Sequence, residues 1–315
     1  MRYCIGMDVG GTHARLKLTD TQGKEIGYFE HKGGTITSAS YETIRERYHA
    51  LIMGALNAHG LAPEHCAGLC LGASGIDTDD LHEQYVKMLE SMGFDRAVIR
   101  AFNDCEVLLN LYADKPCIAI IAGTGSIIMG KGEDGKIIRY GGWSYLLSDE
   151  GSASYIIRKA IEAALKYWDG YGDCAVLASL LESETEMRNQ QEAATYYISH
   201  IKEKEMISRY APLVEKAAAL NDPTALRILY NAAERLFTGV DVVARQMNIG
   251  NAPYVVLLWG SVLMKNAYVS GRLRELLLAR FPKAEIVNLE GTAVDCAINI
   301  ALKIGKEQAL CKNQS

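Results

Sequence analysis

Two glycine-threonine turns stand 112 residues apart in this chain, and each is followed at the same offset by a Gly-Lys turn. Gly11-Thr12 leads to Gly23-Lys24, and Gly123-Thr124 leads to Gly135-Lys136. Around the first, Tyr3-Cys4-Ile5-Gly6-Met7-Asp8-Val9 runs into Gly10-Gly11-Thr12 and then His13-Ala14-Arg15-Leu16-Lys17-Leu18. Around the second, Ile118-Ala119-Ile120-Ile121-Ala122 runs into Gly123-Thr124-Gly125-Ser126 and then Ile127-Ile128-Met129. Each copy is an apolar strand, a tight turn, a second strand and a polar turn, which is the pattern of a β-hairpin. Because the strands repeat as well as the offset, the chain is expected to carry a duplicated unit in two related domains facing each other.

Such turns suit phosphate. Glycine has no side chain, so the backbone N–H groups of a Gly-Gly-Thr turn can approach an anion and point at it. A Thr or Ser hydroxyl adds one more donor. Either turn alone is as readily an ordinary hairpin; the pair, with Asp8 beside the first, favours a grip on a nucleotide.

Asp8-Val9-Gly10-Gly11-Thr12 resembles the first phosphate loop of the actin-like ATPase superfamily, which includes sugar kinases, actin and heat-shock chaperones, and Gly123-Thr124-Gly125-Ser126 resembles the second. Leu257-Leu258-Trp259-Gly260-Ser261-Val262 resembles the adenosine motif, with Trp259 in place of its first glycine. The resemblance covers most of the chain in order. It implies an α/β fold of two ribonuclease-H-like (actin-like ATPase) domains, each a mixed five-stranded sheet flanked by helices, with an interdomain cleft. The repeat places the domains at 1–113 and 114–315, and in this superfamily the last helix often packs back on the first domain.

The periodicities agree with that layout. Residues 3–30 read as three antiparallel strands, 41–59 as a helix ending at Gly60, 67–71 as a buried strand, 79–92 as a helix and 97–102 as a strand before another helix. The second domain restarts near Lys115 with three strands. Helices are expected at about 150–168, 173–183, 188–202, 205–220, 222–247, 268–280 and 292–305, with strands at 254–259 and 285–288.

Composition sets outer bounds. A chain of 315 residues, 49% hydrophobic and 23% charged, is an ordinary globular protein. Net charge of −5 argues against nucleic acid, which needs a basic face. No run approaches a membrane span, and the N-terminus enters a strand without a signal peptide, so a cytoplasmic location is expected. The eight cysteines are scattered without Cys-x-x-Cys and read as structural, a metal or Fe–S site being the alternative.

Asp104 sits where a strand gives way to a helix, a position that faces the ligand crevice in open α/β folds. A helix cap from Asn103 or Asp104 is the bland alternative. In the sugar kinases that the chain resembles, an Asp here is the general base for the sugar hydroxyl, with Asn103 beside it. Gly141-Gly142-Trp143-Ser144-Tyr145-Leu146-Leu147-Ser148-Asp149-Glu150-Gly151-Ser152-Ala153 looks like the segment of N-acetylglucosamine kinases and their bacterial relatives that leads to a helix. Trp143 offers a plate for a sugar ring and Asp149 an acceptor for its hydroxyls; a buried Trp with capping acids is the alternative. By the same resemblance Ser74, Thr124, Gly125 and Gly142 contact sugar. Gly10, Gly11, Thr12, His13, Gly123, Thr124, Gly125, Ser126, Gly260 and Ser261 hold ATP, and Asp8 holds Mg2+ through water. The implied partners are ATP and a small amino sugar (the 6-hydroxyl of N-acetylglucosamine, N-acetylmuramic acid or glucosamine), in a homodimer concerned with cell-wall recycling.

The chain also departs from the pattern. Gly33-Gly34-Thr35-Ile36-Thr37 lacks the family's sugar-reaching asparagine, and Ile127 stands where vertebrate enzymes carry Asn. Gly125-x4-Gly130-Lys131 only imitates a P-loop, since Gly132 follows, and Asp77-x-Asp79-Asp80 lacks the rest of a calcium loop. Two rivals remain. One is an Fe–S ATPase activator of 2-hydroxyacyl-CoA dehydratases, against which Cys117 lies six residues before Gly123 rather than three. The other is a non-catalytic sugar sensor or actin-like assembly protein.

Overall fold

The computed structural model describes residues 1–10, 13–36, 38–112, 115–249, 253–289 and 291–313, apart from the side chains of Lys204 and 311–313. The chain opens with β1 (Tyr3–Val9), β2 (His13–Asp20), β3 (Glu25–Lys32), α1 (Tyr41–Ala58), β4 (Cys66–Ala73), α2 (Asp79–Glu90), β5 (Ile99–Phe102) and α3 (Asp104–Leu111). It continues through β6 (Cys117–Ala122), β7 (Ser126–Lys131), β8 (Ile137–Gly141), α4 (Ala153–Trp168), α5 (Ala175–Glu184), α6 (Gln190–Ser199), α7 (Lys204–Ser208), α8 (Pro212–Ala219) and α9 (Pro223–Gln246). It closes with β9 (Tyr254–Trp259), α10 (Ser261–Lys265), α11 (Ala267–Arg280), β10 (Ala284–Asn288) and α12 (Ala293–Asn313). Among the described residues no helix is long and apolar enough to cross a membrane.

Two compact units emerge, residues 1–113 together with 290–315, and residues 114–289. The first is built on a sheet of order β3-β2-β1-β4-β5, the second on β10-β9-β6-β7-β8. Read from the meander inwards, the two orders are the same: three antiparallel strands, then two parallel to the first. In the first sheet, β4 is buried along all eight residues, as a strand covered on both faces must be. β2 instead alternates, with Ala14, Leu16 and Leu18 inside and Arg15 and Lys17 reaching outwards.

The expected second domain ran to 315; the contacts instead give its last helix to the first unit. α12 lies on β1 and β4 because Gly6 and Gly68 leave room for it: a Cβ at either position would overlap the backbone of Ile298 or Ala301. A polar clamp, Lys17 Nζ to Asp295 Oδ1 at 2.9 Å, fixes its first turn on β2. The helix expected over 205–220 is two pieces, α7 and α8, because Pro212 occupies the first turn of α8 and cannot continue an earlier helix. In the second unit α9 is the central support, burying Ile228, Leu229, Ala232, Leu236 and Val240. Asp222 caps it through Thr224 and Ala225 N–H and also takes the Leu177 N–H at 3.0 Å, so one carboxylate starts two helices.

Candidate active site

In the first unit, β1, β4 and β5 run parallel, with Val9 level with Ala73 and Gly72 level with Phe102. Their C-terminal ends therefore bring Asp8 and Gly10, Ser74, and Asn103 and Asp104 to one edge of the sheet, where open α/β sheets hold ligands. Gly10 N donates to His13 O at 2.9 Å, which closes the turn, and Gly34 N donates to Gly10 O at 3.0 Å. Gly11 and Thr12, both expected to meet phosphate, lie outside the described residues. Ser74 N donates to Val9 O at 3.1 Å, which lays the loop after β4 beside the end of β1.

Asp8 faces Arg15 across the β1–β2 pair, with Oδ2 3.3 Å from Nη1, and Arg15 also reaches Glu30 at 3.4 Å. Burial pushes the Asp8 carboxyl above the usual carboxylate range, and Arg15 only partly offsets it. One partly exposed carboxylate of this kind fits Mg2+ as that ion is normally used, with most of its shell filled by water and substrate phosphate. Among the described residues no group of three or more His, Cys, Asp or Glu could hold a metal by itself.

At the start of α3 the capping work falls to Asn103. Its Oδ1 accepts Cys105 N at 2.9 Å, while Glu106 returns a carboxylate to the Asn103 N–H at 3.2 Å, a capping box. Asn103 Nδ2 donates to Asp77 Oδ1 at 3.1 Å. Asn103, expected to contact sugar, has its side chain engaged inside the scaffold, and only 3% of the residue is exposed. Asp104 follows at the first helical position, with Oδ1 near its neighbour's N–H at 2.9 Å.

In the second unit the Gly123–Ser126 loop rests on the start of α4. Ala153 N donates to Gly123 O at 2.8 Å, and Ser154 donates to Thr124 O through N at 3.2 Å and Oγ at 2.7 Å. A planar trans peptide points its N–H opposite to its C=O, so the Thr124 and Gly125 N–H groups face away from α4. They stand where a phosphate oxygen can accept. The Ser126 hydroxyl, expected to join them, donates instead to Glu150 O at 2.7 Å and is buried, so it braces the loop. Asp149 presses on the same loop: a Cβ at Gly125 would overlap its Oδ2. Gly260, with φ +101°, must be glycine because a Cβ would overlap Ala122 O, and Ser261 follows it next to Gly123.

Beside this loop opens a pocket of about 370 Å³ whose lining includes Thr124, Ser261, Asn266, Lys265, Arg209 and Glu215. Trp143 is no core residue. It is 65% exposed and carries Arg139 over its ring at 3.8 Å, with Arg139 held by Gly141 O and Gly142 O. Two left-handed glycines, φ 69° and 73°, turn the chain into it, and Ser148 Oγ accepts its N–H at 2.8 Å.

The model of the BadF/BadG/BcrA/BcrD ATPase family matches residues 5–298. The chain belongs to this family. It is 30% identical over 303 residues to an N-acetylmuramic acid/N-acetylglucosamine kinase of Clostridium acetobutylicum, covering 96% of this chain and 98% of that one. It is 23% identical to an N-acetyl-D-glucosamine kinase of Dictyostelium discoideum, covering 95% and 96%. Among solved structures, a candidate N-acetylglucosamine kinase from Chromobacterium violaceum shares the fold with a TM-score of 0.71 at 23% identity, over 96% of this chain and 99% of that one.

Within this BadF/BadG/BcrA/BcrD-family ATPase, several contributors escaped the sequence reading. Arg15, Asp77 and Ser154 each act through a partner that only strand pairing or packing brings near, whereas Arg139 reaches Gly141, Gly142 and Trp143 a few residues on. The second serine of Ser152-Ala153-Ser154 was the one local signal, since a hydroxyl inside the first turn of a helix can reach back to a loop carbonyl. Cys117 is fully buried inside β6 and its thiol is pushed up to about 12, so it packs as a small hydrophobe.

Proposed function

We infer that this protein is an ATP-dependent kinase of an amino sugar, transferring the γ-phosphoryl group to the 6-hydroxyl of N-acetylglucosamine or N-acetylmuramic acid. The observation that carries it is the place of Asp104 in the first turn of α3, just past the C-terminal end of β5 and beside the capping box of Asn103 and Glu106. The names of the curated relatives support the same substrate class.

Phosphoryl transfer asks a protein for positioning and charge stabilisation more than for covalent chemistry. The second unit supplies the Thr124 and Gly125 N–H groups to phosphate oxygens and the 370 Å³ pocket to the nucleoside. The first unit supplies the Gly10 turn and Asp104, whose carboxylate orients the acceptor O–H and takes its proton. Trp143 and Asp149 receive the sugar ring and its hydroxyls. Mg2+, when bound, would neutralise phosphate charge, with Asp8 holding it through water. The Asn-free loop at 33–36 is fixed by two side chains that bond its backbone, Arg47 Nη1 donating to Gly33 O at 2.7 Å and Tyr85 OH accepting from Ile36 N at 2.9 Å, and presents no side-chain amide to a 3-oxygen substituent. A lactyl ether, as in N-acetylmuramic acid, is therefore accepted. Salvage of cell-wall amino sugars, a cytoplasmic location and a homodimer belong to the same reading.

A coupled assay of ADP release over a panel of amino sugars tests it. Both N-acetylated sugars should be phosphorylated. ATP hydrolysis indifferent to every sugar would sink the kinase reading, and activity on N-acetylglucosamine without the muramic sugar at millimolar concentration would sink the open-loop argument.

A further inference from the structure

We propose that the groove between α4 and α9 of the second unit is a separate binding site for a small organic phosphate of sugar-phosphate size. The groove encloses about 600 Å³, more than the 370 Å³ pocket beside the phosphate loop, and the two share no lining residue. Its volume lies within the range of metabolite sites, and a bare ion would leave most of it to water.

The charge in it is unlike that of the rest of the chain. Lys159, Lys166, Arg227 and Arg235 line the groove against only Glu162 and Asp173, on a protein whose net charge is −5. Two of the cations have partners that they can give up: Lys159 Nζ lies 2.7 Å from Glu162, and Arg235 Nε 3.2 Å from Glu150, both partly exposed pairs of the kind worth little. The other two are not neutralised. Arg227 donates through Nη2 to the hydroxyl of Thr224 at 2.9 Å, a neutral partner that in turn donates to the Asp173 carbonyl. That relay orients the guanidinium and leaves its charge intact. Lys166 makes no ion pair among the described residues.

Arg227 thus reaches in from α9 and Lys166 from α4, a planar fork and a point charge on opposite walls. Tyr171, 74% exposed at the rim, offers its ring to the carbon skeleton of the ligand. Because α4 also holds the Gly123–Ser126 loop through Ala153 and Ser154, the site stands on the helix that carries the phosphate loop.

The test is calorimetry with glucosamine 6-phosphate on full-length protein saturated with AMP-PNP and N-acetylglucosamine, which occupy the site already described. The sugar phosphate should bind, inorganic phosphate should bind more weakly, and Arg227→Ala should weaken sugar-phosphate binding at least about tenfold, the effect of losing one charge-assisted hydrogen bond. AMP-PNP affinity should not change. A thermal melt checks that Arg227→Ala folds, and the exposed Lys166→Ala carries the test if it does not. No heat from the probe, a signal abolished by the nucleotide and sugar, or unchanged binding in a folded variant would each overturn the proposal. So would a dimer that both variants dissociate, which would mean that a second copy covers the groove.

Discussion

Asp104 and Asn103 are neighbours in sequence, and the capping box at the start of α3 belongs to Asn103 and Glu106. Asp104→Asn keeps the shape of the helix start and leaves the Asn103–Glu106 box alone, so it should cost well under the ~1 kcal/mol of a typical cap deletion. It cannot take a proton, and turnover should fall by about 10²–10⁴-fold in a steady-state kinase assay. A variant within a few-fold of wild type would move the base elsewhere, to Asp149 first. Asp8 gives a second measurement, with a sign set by its raised pKa. A carboxyl that prefers its proton in the folded state adds stability that is complete below the unfolded value, near pH 4, and lost as pH rises through the raised folded value. Asp8→Asn never ionises, so its melting temperature relative to wild type should climb as pH rises above the unfolded carboxylate range, while its activity is lower than wild type. A difference that stays flat with pH would show that Arg15 fully offsets the burial. Asp104, Trp143 and Asp149 could be named as candidates because one stands at a strand-to-helix boundary and the other two in a segment with a family resemblance. Arg15 and Asp77 were not, since a cross-strand neighbour and a 26-residue contact leave no local trace.

At the scale of elements, the strands and long helices followed from their periodicity, and the shared order of the two sheets follows from the duplicated hairpins. The pieces that local pattern missed are α10, only Ser261–Lys265, and the break at Pro212. Both depend on how short segments close over a finished sheet. The seat of α12 was also open to two readings, since glycines in buried strands announce a close approach without saying by what. The approach itself is testable. Gly68→Ala would put a methyl into the backbone of Ala301, and Gly6→Ala one into Ile298. Overpacking of this kind costs about 1–3 kcal/mol, so the urea midpoint should drop, whereas Gly54→Ala, inside α1 with open space at its Cβ, should raise it. An unchanged midpoint for Gly68→Ala would mean that α12 sits farther from β4.

Across the whole molecule, seven of the eight cysteines are described, and all seven are buried. Burial pushes Cys4 and Cys174 up to about 11 and Cys66, Cys117 and Cys296 up to about 12. Thiolate is the reactive form, so these thiols should ignore Ellman's reagent at pH 8 in the native protein and all react in urea. Rapid native reaction of several thiols would contradict this packing.

The chain leaves the first unit at Ala113 and re-enters it at Glu290, so the second unit is an insertion between α3 and α12. On the ribosome, where residues emerge at about 5–20 per second, the inserted unit is complete before the helix that covers β1 and β4 has been made. Until α12 has emerged, the sheet made before the second unit waits without its cover. A chain cut short before Ala293 would thus expose a sheet made well upstream of the cut, with the whole second unit in between.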